Sequence, residues 1–260
     1  MNKIQETIVG GIWRPGILND SGGVAYGAGT NLFLPDMRKG NVDAFLKNLS
    51  HKINPDVLSE NIVRARLVHG NTVAVAKEAV KEIQATDGLI TNNPTLALTL
   101  TTADCGAVAF FDPQHNAVGL FHVGWRGVAN NILKVGIEKM HQEYATKPEQ
   151  LIASIGPTIS SQRYEVGTVV YEAFSNIFKQ KDMDTFFTLH SENKYNLNMS
   201  CAIETQLLEA GIIKNNIEIS HFNTTDNAEL FPSARRAGGV AHVHPAFFMI
   251  SLKNNAILSR

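Results

Sequence analysis

One stretch of the sequence, residues 101–127, constrains the fold more than any other. It contains two apolar segments separated by a turn at Asp112–Asn116. Short apolar runs bounded by turn residues are typical of buried strands. The pattern predicts a hairpin in which Cys105 enters the first strand and His122 closes the second, so the thiol and the imidazole are expected to lie near each other.

A third candidate ligand is His69, which lies in Leu67–Asn71 and ends an earlier strand-like run. Two imidazoles and one thiolate form a ligand set that suits zinc, with a fourth position left for water or substrate. We therefore predict an open metal site at His69, Cys105 and His122. Asp104 or a backbone carbonyl is expected to accept the ring N–H that orients a ligating imidazole.

The same side chains also fit a cysteine hydrolase, in which Cys105 is the nucleophile and His122 or His69 the base. A thiolate bound to zinc is a poor nucleophile, so the two hypotheses exclude each other at Cys105. Each of the three residues taken alone is more often structural than functional. Cys201, in contrast, shares a helix-spaced apolar stripe with its neighbours and is expected in the core.

Several basic residues are candidates for binding an anion. Arg126 lies in Gly124–Gly127, just before a predicted helix that begins at Gly127. It either helps bind an anion such as phosphate, or the segment is only a tight turn in which Trp125 packs. Arg235 and Arg236 lie beside two glycines and are also candidates for binding an anion, although paired surface arginines are usually solvated. His242 and His244 have the spacing of metal ligands on one face of a strand, but a structural role is favoured there.

Composition narrows the class of protein. The chain has 260 residues, 44% of them apolar, and a net charge of −1. The net charge shows no excess of basic residues of the kind that binds nucleic acid or an anionic membrane. The first residues form no secretory signal, and no apolar run approaches the roughly 20 residues of a membrane span. We expect a soluble, cytoplasmic protein with reduced cysteines and small-molecule partners.

The periodicity predicts a mixture of helices and strands without a domain boundary, so residues 1–260 are expected to form one α+β domain. Helices are predicted over 42–53, from Gly127 onward, over 169–178 and over about 199–210. Strands are predicted over 62–68, 72–76, 97–102, 151–155, 217–222 and 246–252. The polar segment 182–196 is predicted to be a loop.

Several motifs resemble one family across nearly the whole chain. They are Val68–Gly70, Asp87–Thr91, Thr102–Cys105, His122–Gly127, Ile155–Pro157, Tyr164–Gly167 and Ser233–Gly238. Together they are similar to the laccase-domain proteins, also called multicopper polyphenol oxidases or the YfiH-like family, which includes purine nucleoside phosphorylases. The chain departs from that family's pattern at Leu67, around Gln162, at Asn223–Thr224 and at Ala241–His242.

The resemblance implies layered β-sheets flanked by helices, similar to a cysteine-hydrolase-like toxin domain. It implies that His69, Cys105 and His122 bind the metal, with zinc preferred over copper, and it adds Asn31 to the substrate side. Members of the family are credited with phosphorolysis of adenosine, inosine, guanosine and methylthioadenosine, and with deamination of adenosine.

On this basis Arg126, Cys105 and His122 are expected to be catalytic, and Arg126, Arg235, Arg236 and Asn31 to bind nucleoside and phosphate. A monomer or weak homodimer is expected. The alternatives are a copper-dependent polyphenol oxidase, a peptidoglycan editing factor acting as a cysteine-type hydrolase, and a protein whose metal only holds the fold. Multicopper electron transfer needs many clustered histidines, whereas this chain has nine, mostly scattered.

Overall fold

The computed structural model describes residues 5–33 and 42–253. The ends of the predicted domain, 1–4 and 254–260, lie outside the described residues. Within the described ranges the strands are β1 Thr7–Val9, β2 Ile12–Arg14, β3 Val24–Gly29, β4 Ile62–Ala65, β5 Val73–Val75, β6 Glu82–Ile83, β7 Gly88–Thr91, β8 Ala97–Thr102, β9 Gly106–Asp112, β10 Ala117–Val123, β11 Ile152–Ile155, β12 Glu165–Gly167, β13 Phe187–Ser191, β14 Lys194–Leu197, β15 Ile217–Ile219 and β16 Ala246–Leu252.

The helices surround these strands. They are α1 Gly16–Asp20, α2 Val42–Ile53, α3 Trp125–Ala129, α4 Ile132–Tyr144, α5 Thr168–Ser175, α6 Gln180–Phe186, α7 Met199–Glu209 and α8 Ala234–Ala237. No helix of the described residues is long and apolar enough to cross a membrane.

Two large sheets form the centre of the protein. The first has the strand order β1-β2-β3-β16-β8-β4-β6 and the second the order β15-β11-β9-β10-β7-β5; a smaller sheet has the order β12-β14-β13. In β9, Ala107, Ala109 and Phe111 face the first sheet, while Val108 and Phe110 face helices on the other side. This alternation follows from the two-residue period of a strand and explains why β9 is buried along its whole length.

The outer layers are helical. Phe45, Leu46 and Leu49 of α2 pack on the outer face of the first sheet, and α4 and α7 pack on the outer face of the second. The prediction of layered sheets flanked by helices in a mixed α/β fold is therefore confirmed. The central hairpin, the helix over 42–53 and the strands over 97–102 and 246–252 are also confirmed.

Two predicted elements are wrong. The helix expected to open at Gly127 is two helices, α3 and α4, separated by Asn131 in the left-handed conformation, φ +56°. Asparagine tolerates this conformation, and the side chain of Gln206 in α7 donates to the Val128 carbonyl and to Asn131 Oδ1 across the break. The apolar residues keep a helical spacing on both sides of Asn131, so the pattern did not reveal the break.

The segment 182–196, predicted to be a loop, contains part of α6 and the β13–β14 hairpin. Its apolar residues Met183, Phe186 and Phe187 are buried, whereas most of β13 faces solvent. The exposed strand positions gave the segment its polar composition and hid the hairpin.

Candidate metal centre and adjoining cavity

The three sequence-predicted ligands lie together. One ligand atom from each of His69, Cys105 and His122 is within 4.8 Å of the others. The two imidazole rings meet edge to face, with centroids 4.7 Å apart. His122 is only 3% exposed, Cys105 is half-buried and His69 is exposed, so the group is open to solvent on the His69 side.

The hairpin register brings the thiol and the buried imidazole to the same end of the second sheet. Gly106 pairs with Val123 and Ala107 with His122, so Cys105 lies just before the first paired position. The next residue across the hairpin is Gly124, where a Cβ atom would lie 3.0 Å from the Cys105 sulfur. Glycine therefore allows the chain to turn into α3 directly against the sulfur.

Asp87 organises both histidines. Its buried carboxylate accepts hydrogen bonds from the backbone N–H groups of Val68, His69 and Gly70 at 3.2, 2.9 and 2.8 Å, and it lies 2.9 Å from His122 Nδ1. The turn at His69, with φ +59°, wraps around this carboxylate. Because an ionised carboxylate only accepts, Nδ1 of His122 donates to Asp87, and Nε2 is the ring nitrogen that remains to bind a metal.

The surroundings of Asp87 and Cys105 favour the carboxylate and the thiolate over their protonated forms. Burial raises the pKa of Asp87, but the hydrogen bonds from His122 and from the Gly70 and Val68 N–H groups outweigh it and hold the pKa below its usual value. Burial likewise raises the pKa of the Cys105 thiol, but hydrogen bonds and charge from His122 and His69 lower it to about 7. The thiolate that a metal requires is thus accessible near neutrality.

The expectation that Asp104 or a backbone carbonyl orients an imidazole is wrong for His122, since Asp87 has that role. Asp104 instead accepts hydrogen bonds from the Thr224 hydroxyl and from the Arg235 N–H. In the sequence, Asp87 resembles an ordinary turn residue before Gly88. The one signal that pointed to it was its place in the Asp87–Thr91 motif.

A cavity of about 490 Å³ adjoins the thiol. Its lining includes Cys105, the apolar side chains of Ile159, Met199 and Val240, the ring of Tyr164, and Arg235. A larger cavity of about 600 Å³ lies beside α2 and β4, but none of the three candidate ligands lines it. The smaller cavity is therefore the one that adjoins the candidate metal centre.

The predicted arginines occupy different surroundings. Arg126 is exposed as the second residue of α3, with its guanidinium carbon 4.3 Å from the centre of the Trp125 ring. Arg235 lines the cavity and donates to the carbonyls of Arg163 and Glu165 at 3.1 Å.

Two other residues predicted for the substrate side contact backbone rather than the cavity. The guanidinium of Arg236 donates to the carbonyls of Thr224 and Phe231 at 2.6 and 2.9 Å. The amide of Asn31 donates to the Ala228 carbonyl at 2.8 Å. Both side chains therefore fix the loop that precedes α8.

The remaining predicted positions lie outside the candidate metal centre. His242 ends a single 3₁₀ turn, and His244 precedes β16, so the prediction that they share a strand face is wrong. Neither joins a potential metal-binding group among the described residues. Cys201 lies in α7, half-buried, with its sulfur 3.8 Å from the Thr185 hydroxyl.

Comparison with known proteins identifies related chains. A family model described as "Multi-copper polyphenol oxidoreductase laccase" matches residues 20–247. The purine nucleoside phosphorylase of Bacteroides thetaiotaomicron is 34% identical over 167 residues, which cover 64% of this chain and 61% of that protein. Purine nucleoside phosphorylase RC0672 of Rickettsia conorii is 34% identical over 183 residues, covering 69% of this chain and 72% of the relative.

Two further comparisons concern activity and fold. Adenosine deaminase RL5, from an unknown prokaryotic organism, is 29% identical over 189 residues, covering 69% of this chain and 71% of the relative. The crystal structure of the hypothetical protein YfiH of Bacillus licheniformis has a TM-score of 0.86 and 25% identity, covering 95% of this chain and 99% of that one. The names of the relatives support the expectation of an enzyme of this kind.

Proposed function

Because this chain belongs to the multi-copper polyphenol oxidoreductase laccase family, and its relatives include proteins named purine nucleoside phosphorylase and adenosine deaminase, we propose a zinc-dependent purine nucleoside phosphorylase that also deaminates adenosine. Its phosphorolysis substrates are adenosine, inosine, guanosine and methylthioadenosine, which phosphate converts to the free base and a ribose 1-phosphate. The observation that carries the proposal is the His69–Cys105–His122 group opening beside a cavity.

The donor set fits a zinc ion. Ligands of a tetrahedral zinc ion lie about 3–4 Å from one another, given bond lengths of about 2.0–2.3 Å, and the three candidate atoms are within 4.8 Å. The proton on His122 Nδ1 is held by Asp87, which leaves Nε2 for the metal. When bound, zinc supplies Lewis acidity to a water molecule or a substrate oxygen. Copper is the alternative ion for the same three side chains.

The chain's own residues have distinct roles in this proposal. His69, Cys105 and His122 hold the ion, and the cavity beside them, about 490 Å³, has the size of a typical small-molecule site. Arg126 and Arg235 attract the phosphate. Both arginines act on Tyr164 at the cavity, where their charges oppose the rise that burial causes in the pKa of its phenol. Arg236 and Asn31 act indirectly, by fixing the loop before α8.

A cysteine hydrolase is the competing function, and one contact favours it. The carboxylate of Asp87 lies 2.9 Å from the imidazole of His122, and this imidazole in turn lowers the pKa of the Cys105 thiol. Such an arrangement also activates a cysteine nucleophile. The two functions differ in the metal, since phosphorolysis by the proposed route is lost when the protein is stripped of zinc, whereas thiolate attack is not.

The test is metal analysis combined with a product assay. Purified protein is analysed for zinc and copper and incubated with adenosine and phosphate; adenine reports phosphorolysis, inosine deamination, and hypoxanthine the two in sequence. Cys105→Ala and His122→Ala are expected to lose the metal and both activities, while Cys201→Ala, which removes the other thiol, retains them. Full phosphorolysis by metal-free protein would refute the proposal. We also propose that the protein is cytoplasmic and is a monomer or weak homodimer.

A further inference from the structure

Asp104 has an unusual backbone conformation at the edge of the cavity. It lies between β8 and β9, immediately before Cys105, and is 9% exposed. Its φ is +98°, a value that residues with a side chain rarely adopt. Such a conformation persists only where the surrounding contacts hold it.

Those contacts join three separate segments. One carboxylate oxygen of Asp104 accepts a hydrogen bond from the Thr224 hydroxyl, and the other accepts from the Arg235 N–H at 2.7 Å. The Asp104 carbonyl accepts from the Ile159 N–H at 3.0 Å. One residue therefore fixes the positions of residues from three parts of the chain.

Thr224 is a firm attachment point for this arrangement. Its side chain is only 3% exposed, and its N–H donates to the Thr158 carbonyl at 2.9 Å. The Thr224 carbonyl in turn accepts from the guanidinium of Arg236 at 2.6 Å. A hydrogen bond between Thr224 and Arg236 thus joins the two ends of the loop from Thr224 to α8. Both ends are also bound to Asp104, through Thr224 and Arg235.

The segment held in this way is a wall of the cavity. Ala234, Arg235 and residues 238–240 line it. The Arg235 guanidinium also donates to the carbonyls of Arg163 and Glu165, on either side of Tyr164, which lines the cavity as well. A shift of the Arg235 backbone would therefore move two walls together, while His69 and His122 stay attached to Asp87.

We infer that Asp104 and Thr224 form a latch that positions the segment 234–240 against the cavity, and that this latch sets substrate affinity without contributing to metal binding. The nature of the substrate in this inference rests on the proposed function. Asp104 is a positioning residue, since it acts through Arg235 and not through contact with the reacting atoms.

The test compares three variants of the metal-loaded protein. Thr224→Val removes the hydroxyl that donates to Asp104, and Thr224→Ser keeps it. Thr99→Val is the matched control, because Thr99 is also a buried threonine whose hydroxyl donates a hydrogen bond, at 2.8 Å to the Phe248 carbonyl. The measurements are hydrogen exchange over residues 234–240, metal content, and KM and kcat for adenosine phosphorolysis.

Thr224→Val is expected to accelerate exchange over 234–240 and to raise KM about fivefold with kcat within about twofold, which is the scale of one buried hydrogen bond. Thr224→Ser should match the wild type. Thr99→Val should lower the melting temperature without changing exchange over 234–240 or KM.

Three results would overturn the inference: unchanged exchange in Thr224→Val, loss of metal from it, or an equal rise of KM in Thr99→Val. If the wild-type protein does not phosphorolyse adenosine, the proposed function fails. The exchange comparison then decides on the latch alone, because it needs no substrate.

Discussion

Replacing Asp87 with Asn tests whether one buried carboxylate organises the metal centre. Its first oxygen accepts from the His69 N–H and lies beside His122 Nδ1, and its second accepts from the N–H groups of Gly70 and Val68. An asparagine keeps one acceptor oxygen but replaces the other with an NH₂ group. That group would face two N–H donors, so the turn at His69 would lose its anchor.

The size of the effect follows from these contacts. Two hydrogen bonds to a charged acceptor are lost, each worth about 1.5 kcal/mol or more, so the free energy of unfolding should fall by about 3 kcal/mol. Loss of the carboxylate that orients a ligating histidine typically lowers metal affinity by about 10–100-fold. Asp87→Asn should therefore weaken both the fold and the metal site.

The assay needs a control that separates these effects, and Asp112 provides one. It is equally buried and accepts from the N–H groups of Gln114 and His115, with the His115 ring 2.8 Å away, but it lies at the opposite end of the hairpin. Chelator competition should show a loss of metal affinity in Asp87→Asn only, while denaturant unfolding shows destabilisation of both variants. Equal affinity losses in the two variants, or none in Asp87→Asn, would refute the reasoning.

The pH dependence gives a second check on Asp87. Its pKa in the folded protein is lowered from the ordinary value of 3.8. The stability that it contributes is therefore fully present above the unfolded pKa and is lost as the pH falls through the lower folded value. In metal-free protein, the difference in unfolding free energy between wild type and Asp87→Asn should be largest near neutrality and should shrink as the pH falls below about 4.

Three further predictions concern side chains near the centre and in the core. Gly124→Ala places a Cβ atom 3.0 Å from the Cys105 sulfur, so metal content after purification should fall, and an unchanged content would contradict this close approach. In metal-free protein, the rate of Cys105 alkylation should rise with pH around its pKa of about 7, and His122→Gln should move that rise to higher pH; mass spectrometry of the Cys105 peptide measures both. Gly136→Ala should destabilise by about 1–3 kcal/mol in denaturant unfolding although alanine favours helices, because its Cβ would lie 2.3 Å from the Phe121 ring; a more stable variant would show that the helix moves freely.

The sequence was sufficient to predict the hairpin, because a hairpin depends on local pattern, and to predict that His69, Cys105 and His122 lie together. The two apolar runs and the Asp112–Asn116 turn fix the register that places Cys105 beside His122. His69 was found by residue chemistry, since its separation from Cys105 follows no short zinc motif. Asp87 was missed because its function is visible only when the turn at His69 folds back onto it.

The break between α3 and α4 was missed for a similar reason. Asn131 has a left-handed conformation that a side chain from α7 helps to hold, and α7 begins 68 residues after Asn131 in the chain. Likewise the sequence showed Arg235 and Arg236 as an equivalent pair. The fold separates them, because Arg235 lines the cavity while the guanidinium of Arg236 donates to backbone carbonyls. Contacts between distant segments decide both cases, and a periodic pattern carries no information about them.

The charge balance expected at a metal-loaded centre gives the two arginines a role in the proposed function. A divalent ion held by one thiolate and two neutral imidazoles keeps one positive charge, and the buried carboxylate of Asp87 offsets that charge. The metal centre by itself therefore offers phosphate little net attraction. In the proposed function, the positive charge for phosphate therefore comes from Arg126 and Arg235, both of which act on Tyr164 at the cavity. The proposed function therefore predicts that metal affinity and phosphate affinity depend on different residues, Asp87 for the first and the two arginines for the second.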